Sequence, residues 1–123
     1  MQPSFKKQIQ RIVTRIVKQF DPDRIILFGS HARNQAGPDS DIDLLIVMPV
    51  KGSLREKCLE VRHVLHDIPV PKDVVISTPE DFEWRKEVIG TIEYPAWREG
   101  KILYVREGKH RYRRPRMGIQ GRK

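Results

Sequence analysis

Two aspartates separated by one residue, Asp41 and Asp43, stand at the start of the apolar run LLIV. Alternate residues of a β-strand face the same side, so both carboxylates are expected on one face, roughly 6–7 Å apart along the strand. Carboxylates placed in this way repel each other and favour a cation between them. Oxygen ligands suit Mg²⁺, which binds carboxylates together with substrate phosphates. The pair therefore predicts a divalent-metal site that acts on a phosphate-containing substrate.

A third carboxylate and a phosphate-binding turn are also indicated. Asp73 opens the apolar run VVI and is the best candidate for a third acidic ligand. Gly29 and Ser30 follow the apolar run IILF. The outward N–H groups of a turn there, and a short helix beginning near Ser30, would favour phosphate. The segment is neither a P-loop, because no Gly-Lys-Ser/Thr follows, nor a Rossmann fingerprint, because the glycines are wrongly spaced.

Simpler interpretations of the aspartates remain open at this point. An Asp before a strand is often a turn residue, and an isolated Asp-x-Asp pair is a weak motif. Asp39, Asp41 and Asp43 also alternate as in an EF-hand loop, but that loop needs Gly at its sixth position and Glu at its twelfth. This chain has Leu44 and Val50 there, which excludes an EF-hand. Asp39 is assigned to the turn.

The segment from 29 to 43, taken with Asp73, resembles a known motif. Gly-Ser, ten residues, Asp-x-Asp and a later strand Asp form the pattern of the minimal nucleotidyltransferases of the DNA polymerase beta-like superfamily. The resemblance covers roughly residues 5–105, and Ala32, Arg33 and Ser40 also match residues usual in the family. One position departs from the pattern. The family usually has Gly after Ala-Arg, whereas this chain has Asn34, which tolerates the left-handed conformation.

The resemblance implies a magnesium-dependent enzyme that moves a nucleoside monophosphate from ATP onto an acceptor hydroxyl, with two Mg²⁺ ions bound. The expected catalytic and metal-binding residues are Asp41, Asp43 and Asp73. Asp73 is also a candidate to accept the hydroxyl proton. The expected nucleotide-binding residues are Gly29, Ser30, Arg33 and Ser40. Arg33 either neutralises the leaving pyrophosphate or is a solvated surface residue, and the sequence leaves both open.

The biological role follows from the family and not from the spacing. Its minimal members usually act with a separate helical HEPN protein, as MntA-type antitoxins of HEPN/MNT toxin–antitoxin pairs. The resemblance therefore implies AMP transfer to a tyrosine of such a partner. Two other functions stay open: a non-catalytic module that neutralises a partner by contact alone, and an RNA-binding protein that uses basic C-terminal residues.

Length and charge divide the chain into a body and a tail. The 123 residues suffice for one domain, and the single Cys58 excludes an internal disulfide. Residues 106–123 hold eight Lys or Arg and one acid, net +7 of the total +8. We therefore predict a domain over 1–105 and a basic, disordered tail over 106–123. No apolar run approaches the ~20 residues of a membrane span and no signal peptide is visible, so a cytoplasmic protein without membrane contact is expected.

Hydrophobic periodicity and turn residues predict eight elements. Helices are expected over 4–20, 53–66 and 78–89, with an interrupted helix over 90–100 because Pro95 lies inside it. Strands are expected over 25–28, 41–47, 73–76 and 102–105. The first two strands must be antiparallel for Gly29 to meet Asp41, and the second and third parallel for Asp43 to meet Asp73. The predicted class is α/β (α+β), a small mixed β-sheet with helices packed on one side.

Overall fold

The order of elements is that of an α/β chain with one helix before the first strand. A computed structural model describes residues 3–37 and 40–107. Its elements are α1 (Pro3–Phe20), β1 (Arg24–Phe28), β2 (Ile42–Val47), α2 (Leu54–Val64), β3 (Lys72–Ser77), α3 (Pro79–Arg85), α4 (Glu93–Glu99) and β4 (Lys101–Val105). Residues 108–123 of the predicted tail (106–123) and the turn residue Asp39 lie outside the described residues. The disorder and RNA binding of the tail, and the role of Asp39, therefore stay predictions.

Side-chain caps fix the starts of α2 and α3. The Ser53 hydroxyl accepts a hydrogen bond from the Glu56 N–H at 3.1 Å, and the Thr78 hydroxyl accepts one from the Asp81 N–H at 3.2 Å. Each cap satisfies one of the backbone donors that a helix leaves unpaired at its first turn. Both starts agree with the sequence prediction.

The junction between α3 and α4 differs from the prediction. The Thr91 hydroxyl lies 2.8 Å from the Arg85 carbonyl oxygen and 2.9 Å from that of Val88. It thereby binds carbonyls that a longer helix would use, and α3 ends at Arg85 instead of continuing to about Ile89. α4 then begins at Glu93, so Pro95 lies in its first turn, where a missing N–H costs nothing.

The sheet has four strands in the order β3-β2-β1-β4. β1 pairs antiparallel with β2 and with β4, whereas β2 pairs parallel with β3. The two pairing directions that the candidate site required are therefore confirmed. β1 and β2 are the central strands, and both are largely buried.

Helices cover both faces of the sheet, and the expectation that they lie on one side was wrong. One face packs against α1 and α2 in a cluster that includes Ile12, Ile16, Ile25, Leu27, Leu44 and Val61. The opposite face packs against α3 and α4 in a cluster of Ile26, Leu45, Val47, Phe82 and Ala96. The physical reason is that β1 and β2 present apolar side chains on both faces of the sheet. Each face must therefore be shielded from water. The mixed α/β class itself is confirmed.

Among residues 3–37 and 40–107, no helix combines the length and the apolar character needed to cross a bilayer.

Candidate active site

Strand pairing places Asp43 and Asp73 side by side. In the parallel β2–β3 ladder Asp43 is the register partner of Asp73, and in the β1–β2 ladder it is the partner of Phe28. Neighbouring strands lie about 4.8 Å apart, and register partners point to the same face. Asp41 directly precedes β2. The three aspartates expected to bind metal are thus brought to one end of the sheet.

Burial and neighbouring charges both act on the Asp43 carboxyl. Burial raises the pKa of the Asp43 carboxyl above its usual value, and the charges of Asp73 and Asp41 raise it further. His31 and Arg33 lie close enough to lower the pKa of Asp43 in part. A second carboxylate disfavours the ionised form of the first, whereas a nearby cation favours it. The group therefore has the electrostatics of a cation site.

Gly29 lies directly against the Asp43 carboxylate. It follows β1 with φ +79°, a conformation that residues with a side chain rarely adopt. A Cβ atom built on Gly29 would overlap Asp43 Oδ2 and would stand 3.2 Å from Asp43 Cγ. Only glycine at this position leaves the Asp43 carboxylate where it is.

The backbone from Ser30 to Asn34 forms a tight turn and not the expected short helix. The Arg33 N–H donates to the Gly29 carbonyl at 3.2 Å, and the Gln35 N–H donates to the Ser30 carbonyl at 2.9 Å. Asn34 has φ +59°, the left-handed conformation that asparagine tolerates better than most residues. The turn keeps Ser30 at the end of β1, beside Gly29.

Replacing Asn34 tests whether the turn needs this conformation. Asn34→Gly is expected to leave the free energy of unfolding unchanged or to raise it slightly, because glycine adopts positive φ without penalty. Asn34→Val should lower it by roughly 1–2 kcal/mol, because a β-branched residue is strained in the left-handed region that asparagine tolerates. Urea denaturation of both variants measures the difference. Equal stability of Gly and Val at this position would contradict the assigned conformation.

Ser40 and His31 close the loop that leads from the turn to β2. The Ser40 hydroxyl accepts a hydrogen bond from the Gly37 N–H at 2.9 Å, and His31 Nε2 donates to the Ser40 carbonyl at 3.2 Å. The His31 ring also stacks on Phe5 of α1, with 4.4 Å between ring centroids. Ser40, predicted to bind nucleotide, thus has a loop-closing role in this structure, and its nucleotide contact stays a prediction.

Arg33 is positioned by two side chains at the edge of the turn. Its Nε donates to Gln35 Oε1 at 3.1 Å, and its Nη1 lies 3.6 Å from Glu99 Oε1 at the end of α4. The Arg33 and Glu99 side chains are both substantially exposed, so this ion pair is weak and easily exchanged for another anion. Sequence reasoning missed Glu99, because nothing in its local pattern indicates where α4 ends in space.

Arg62 is a second residue that sequence reasoning missed. It projects from α2, and its Nη2 donates to Asp73 Oδ1 at 2.8 Å. The same guanidinium contacts the Val74 carbonyl oxygen and Cys58 Sγ, each at 3.5 Å. β3 is an edge strand, so a helix on the opposite face can reach round that edge to Asp73.

The donor set fits a hard divalent cation by its chemistry, but it is not preassembled. Asp41, Asp43 and Asp73 supply only carboxylate oxygens, the ligands that Mg²⁺ prefers. In the described ranges 3–37 and 40–107, no three His, Cys, Asp or Glu side chains converge into a ready-made metal cluster. A cation would therefore complete the site by drawing the carboxylates together.

Comparison with known proteins identifies the class to which the fold and these residues belong. The family model described as "Nucleotidyltransferase domain" matches residues 7–96. The chain belongs to the nucleotidyltransferase domain family, and the predicted enzyme class is confirmed at the level of the family.

Two relatives are similar to parts of the chain. A protein of Methanocaldococcus jannaschii named "Putative protein adenylyltransferase" is 39% identical over 51 residues, which are 42% of this chain. That match covers 50% of the relative, so the chain spans half the length of this curated protein. A crystal structure from Sulfolobus solfataricus, titled as a putative nucleotidyltransferase, has a TM-score of 0.59. It covers 81% of this chain and 79% of its own at 20% identity, a likeness of fold.

Proposed function

We propose that this protein transfers a nucleoside monophosphate from a nucleoside triphosphate, with ATP as the donor, onto a hydroxyl group of an acceptor. The observation that carries the proposal is the row formed by Gly29, Asp43 and Asp73. It joins a glycine that lies directly against the Asp43 carboxylate to two register-paired carboxylates, one of which is partly buried. Membership of the nucleotidyltransferase domain family supports this choice of reaction.

Different groups of the site would bind the metal ions and the phosphates. Asp41, Asp43 and Asp73 would hold two Mg²⁺ ions, which when bound supply positive charge for the entering and leaving oxygens. The N–H groups after Gly29 and the Ser30 hydroxyl would bind the β- and γ-phosphates. This arrangement would hold the α-phosphorus in line with the acceptor hydroxyl, and such positioning contributes much of the rate in phosphoryl transfer.

Transfer itself exchanges one phosphorus–oxygen bond for another. The acceptor oxygen attacks the α-phosphorus, its proton passes to a carboxylate oxygen of Asp73, and the bond to the β-phosphate oxygen breaks. Pyrophosphate leaves and carries the negative charge of the broken bond on its oxygen. Arg33 would leave Glu99 and pair with the pyrophosphate, because the exposed Arg33–Glu99 ion pair is weak and pyrophosphate carries more negative charge than a single carboxylate.

A protein hydroxyl is the proposed acceptor, and a tyrosine of a HEPN-type partner is the specific candidate. The name of the M. jannaschii relative supports protein adenylylation, although only half of that protein is matched. The HEPN partner and the antitoxin role rest on the motif resemblance alone.

Labelled transfer to a defined partner tests the proposal. The full chain is incubated with Mg²⁺, α-³²P-ATP and the purified product of the neighbouring gene, and labelled protein is digested for mass spectrometry. AMP on a tyrosine of the neighbour is expected, with no label in an Asp41→Asn/Asp43→Asn control. Label on RNA would replace the protein acceptor with a nucleic acid. A folded protein that binds its neighbour but transfers none of the four nucleotides would favour neutralisation by contact.

A further inference from the structure

Arg62 places a guanidinium beside the carboxylate of Asp73, one of the residues proposed to bind metal. Its side chain is 47% exposed and that of Asp73 is 52% exposed, so both are accessible to solvent and to ions. The contacts of the guanidinium with Cys58 Sγ and the Val74 carbonyl keep it at the edge of β3. These contacts hold the positively charged guanidinium of Arg62 beside Asp73.

The Asp73 carboxylate has two possible positively charged partners, a divalent cation and Arg62. Asp43 and Asp73 are register partners and repel, and a divalent cation between them would remove that repulsion. Arg62 offers Asp73 another partner, on the side of α2. Arg62 and a divalent cation would therefore compete for the same carboxylate.

We propose that Arg62 is an internal counter-cation that competes with the divalent metal for Asp73. In the metal-free protein it neutralises the third carboxylate, and it must release that carboxylate when the metal site is completed. Arg62 thus sets the metal concentration at which the three aspartates assemble. The inference rests on the proposed function only for the assignment of Asp73 as a metal ligand.

The strength of the competition follows from the exposure of the pair. Exposed ion pairs are weak, so metal can displace Arg62, and the cost appears as a modest loss of metal affinity. Removing the guanidinium is therefore expected to tighten metal binding about threefold to fivefold, the range that an exposed ion pair can account for. A larger effect would need a buried pair, which this is not.

Mn²⁺ binding measured without nucleotide tests the inference directly. Free Mn²⁺ is followed by electron paramagnetic resonance during titration of the full chain and its Arg62→Ala variant. The matched control is Arg55→Ala, which removes the same charge from an exposed position of α2, seven residues or about 10 Å further from Asp73. Arg62→Ala should bind Mn²⁺ about threefold to fivefold more tightly than wild type, and Arg55→Ala should stay close to wild type.

A second pair of variants shows whether the effect passes through Asp73. In an Asp73→Asn background the Arg62→Ala change should leave Mn²⁺ affinity unaltered, because the contested carboxylate is gone. The inference is overturned if Arg62→Ala is no tighter than Arg55→Ala, if it binds more weakly, or if its effect persists in the Asp73→Asn background. Failure of every variant to bind Mn²⁺ would overturn it too. The Mn²⁺ titration contains no nucleotide or acceptor. Its result can therefore be interpreted even if the protein does not catalyse the proposed transfer reaction.

Discussion

Replacing Asp43 by Asn is expected to lower nucleotidyl transfer by at least about 1,000-fold. Metal ions contribute several kcal/mol of transition-state stabilisation, and each ~1.4 kcal/mol corresponds to a factor of ten in rate. Asp43 is the carboxylate next to both Gly29 and Asp73, so its loss affects the metals and the triphosphate together. The measurement is the initial rate of label transfer from α-³²P-ATP at saturating Mg²⁺.

The stability of the same variant separates loss of chemistry from loss of fold. Without metal, Asp43→Asn should melt at the same temperature as wild type or higher, because it removes a desolvated charge that Asp73 and Asp41 repel. Asp67→Asn is the matched control, since this exposed aspartate pairs with Arg15 on the α1 side of the molecule. It should retain transfer activity. An Asp43→Asn protein that keeps more than about a tenth of the activity would refute the metal role assigned to this residue.

Gly29→Ala is expected to abolish most activity while the protein still folds. The new Cβ atom would overlap Asp43 Oδ2, and the end of a side chain can move aside where a backbone atom cannot. The carboxylate would therefore leave its position next to Asp73, and transfer should fall by about 100-fold or more, as small displacements in reacting geometry do. The loss of stability should be only about 1–2 kcal/mol, from the strained positive φ.

Gly52→Ala provides a control for the backbone strain alone. Gly52 has φ +87°, close to the value at Gly29, but a Cβ atom there would meet nothing within 4 Å. The two alanine variants should lose similar stability in urea denaturation, and only Gly29→Ala should lose transfer. Equal activity in both variants would show that Gly29 serves the turn and not the Asp43 carboxylate.

The strand directions around the site were predictable, because the site residues can meet only if the strands pair in particular directions. Gly29 had to meet the start of β2, which required an antiparallel pair, and Asp43 had to meet Asp73, which required a parallel one. Both pairings are present. The starts of α2 and α3 were also predictable, because Ser53 and Thr78 are capping residues whose action is local.

Contacts that depend on how helices pack were not predictable from the sequence. The stripe of apolar residues in α2 shows that one face is buried, but not that its exposed Arg62 reaches round the edge of β3 to Asp73. In the same way, the end of α3 depends on where the Thr91 hydroxyl meets the Arg85 carbonyl. The placement of helices on both faces follows from the apolar residues that β1 and β2 present on both sides of the sheet.

Following the α- and γ-phosphates of ATP separately is the most direct test of nucleotidyl transfer. The full chain is given Mg²⁺ and its acceptor with ATP labelled at either the α- or the γ-phosphate, and both acceptor and released products are analysed. We expect label on the acceptor from α-labelled ATP only, with the γ-label recovered in pyrophosphate. Label on the acceptor from γ-labelled ATP, or release of the γ-label as orthophosphate without transfer, would contradict a nucleotidyltransferase.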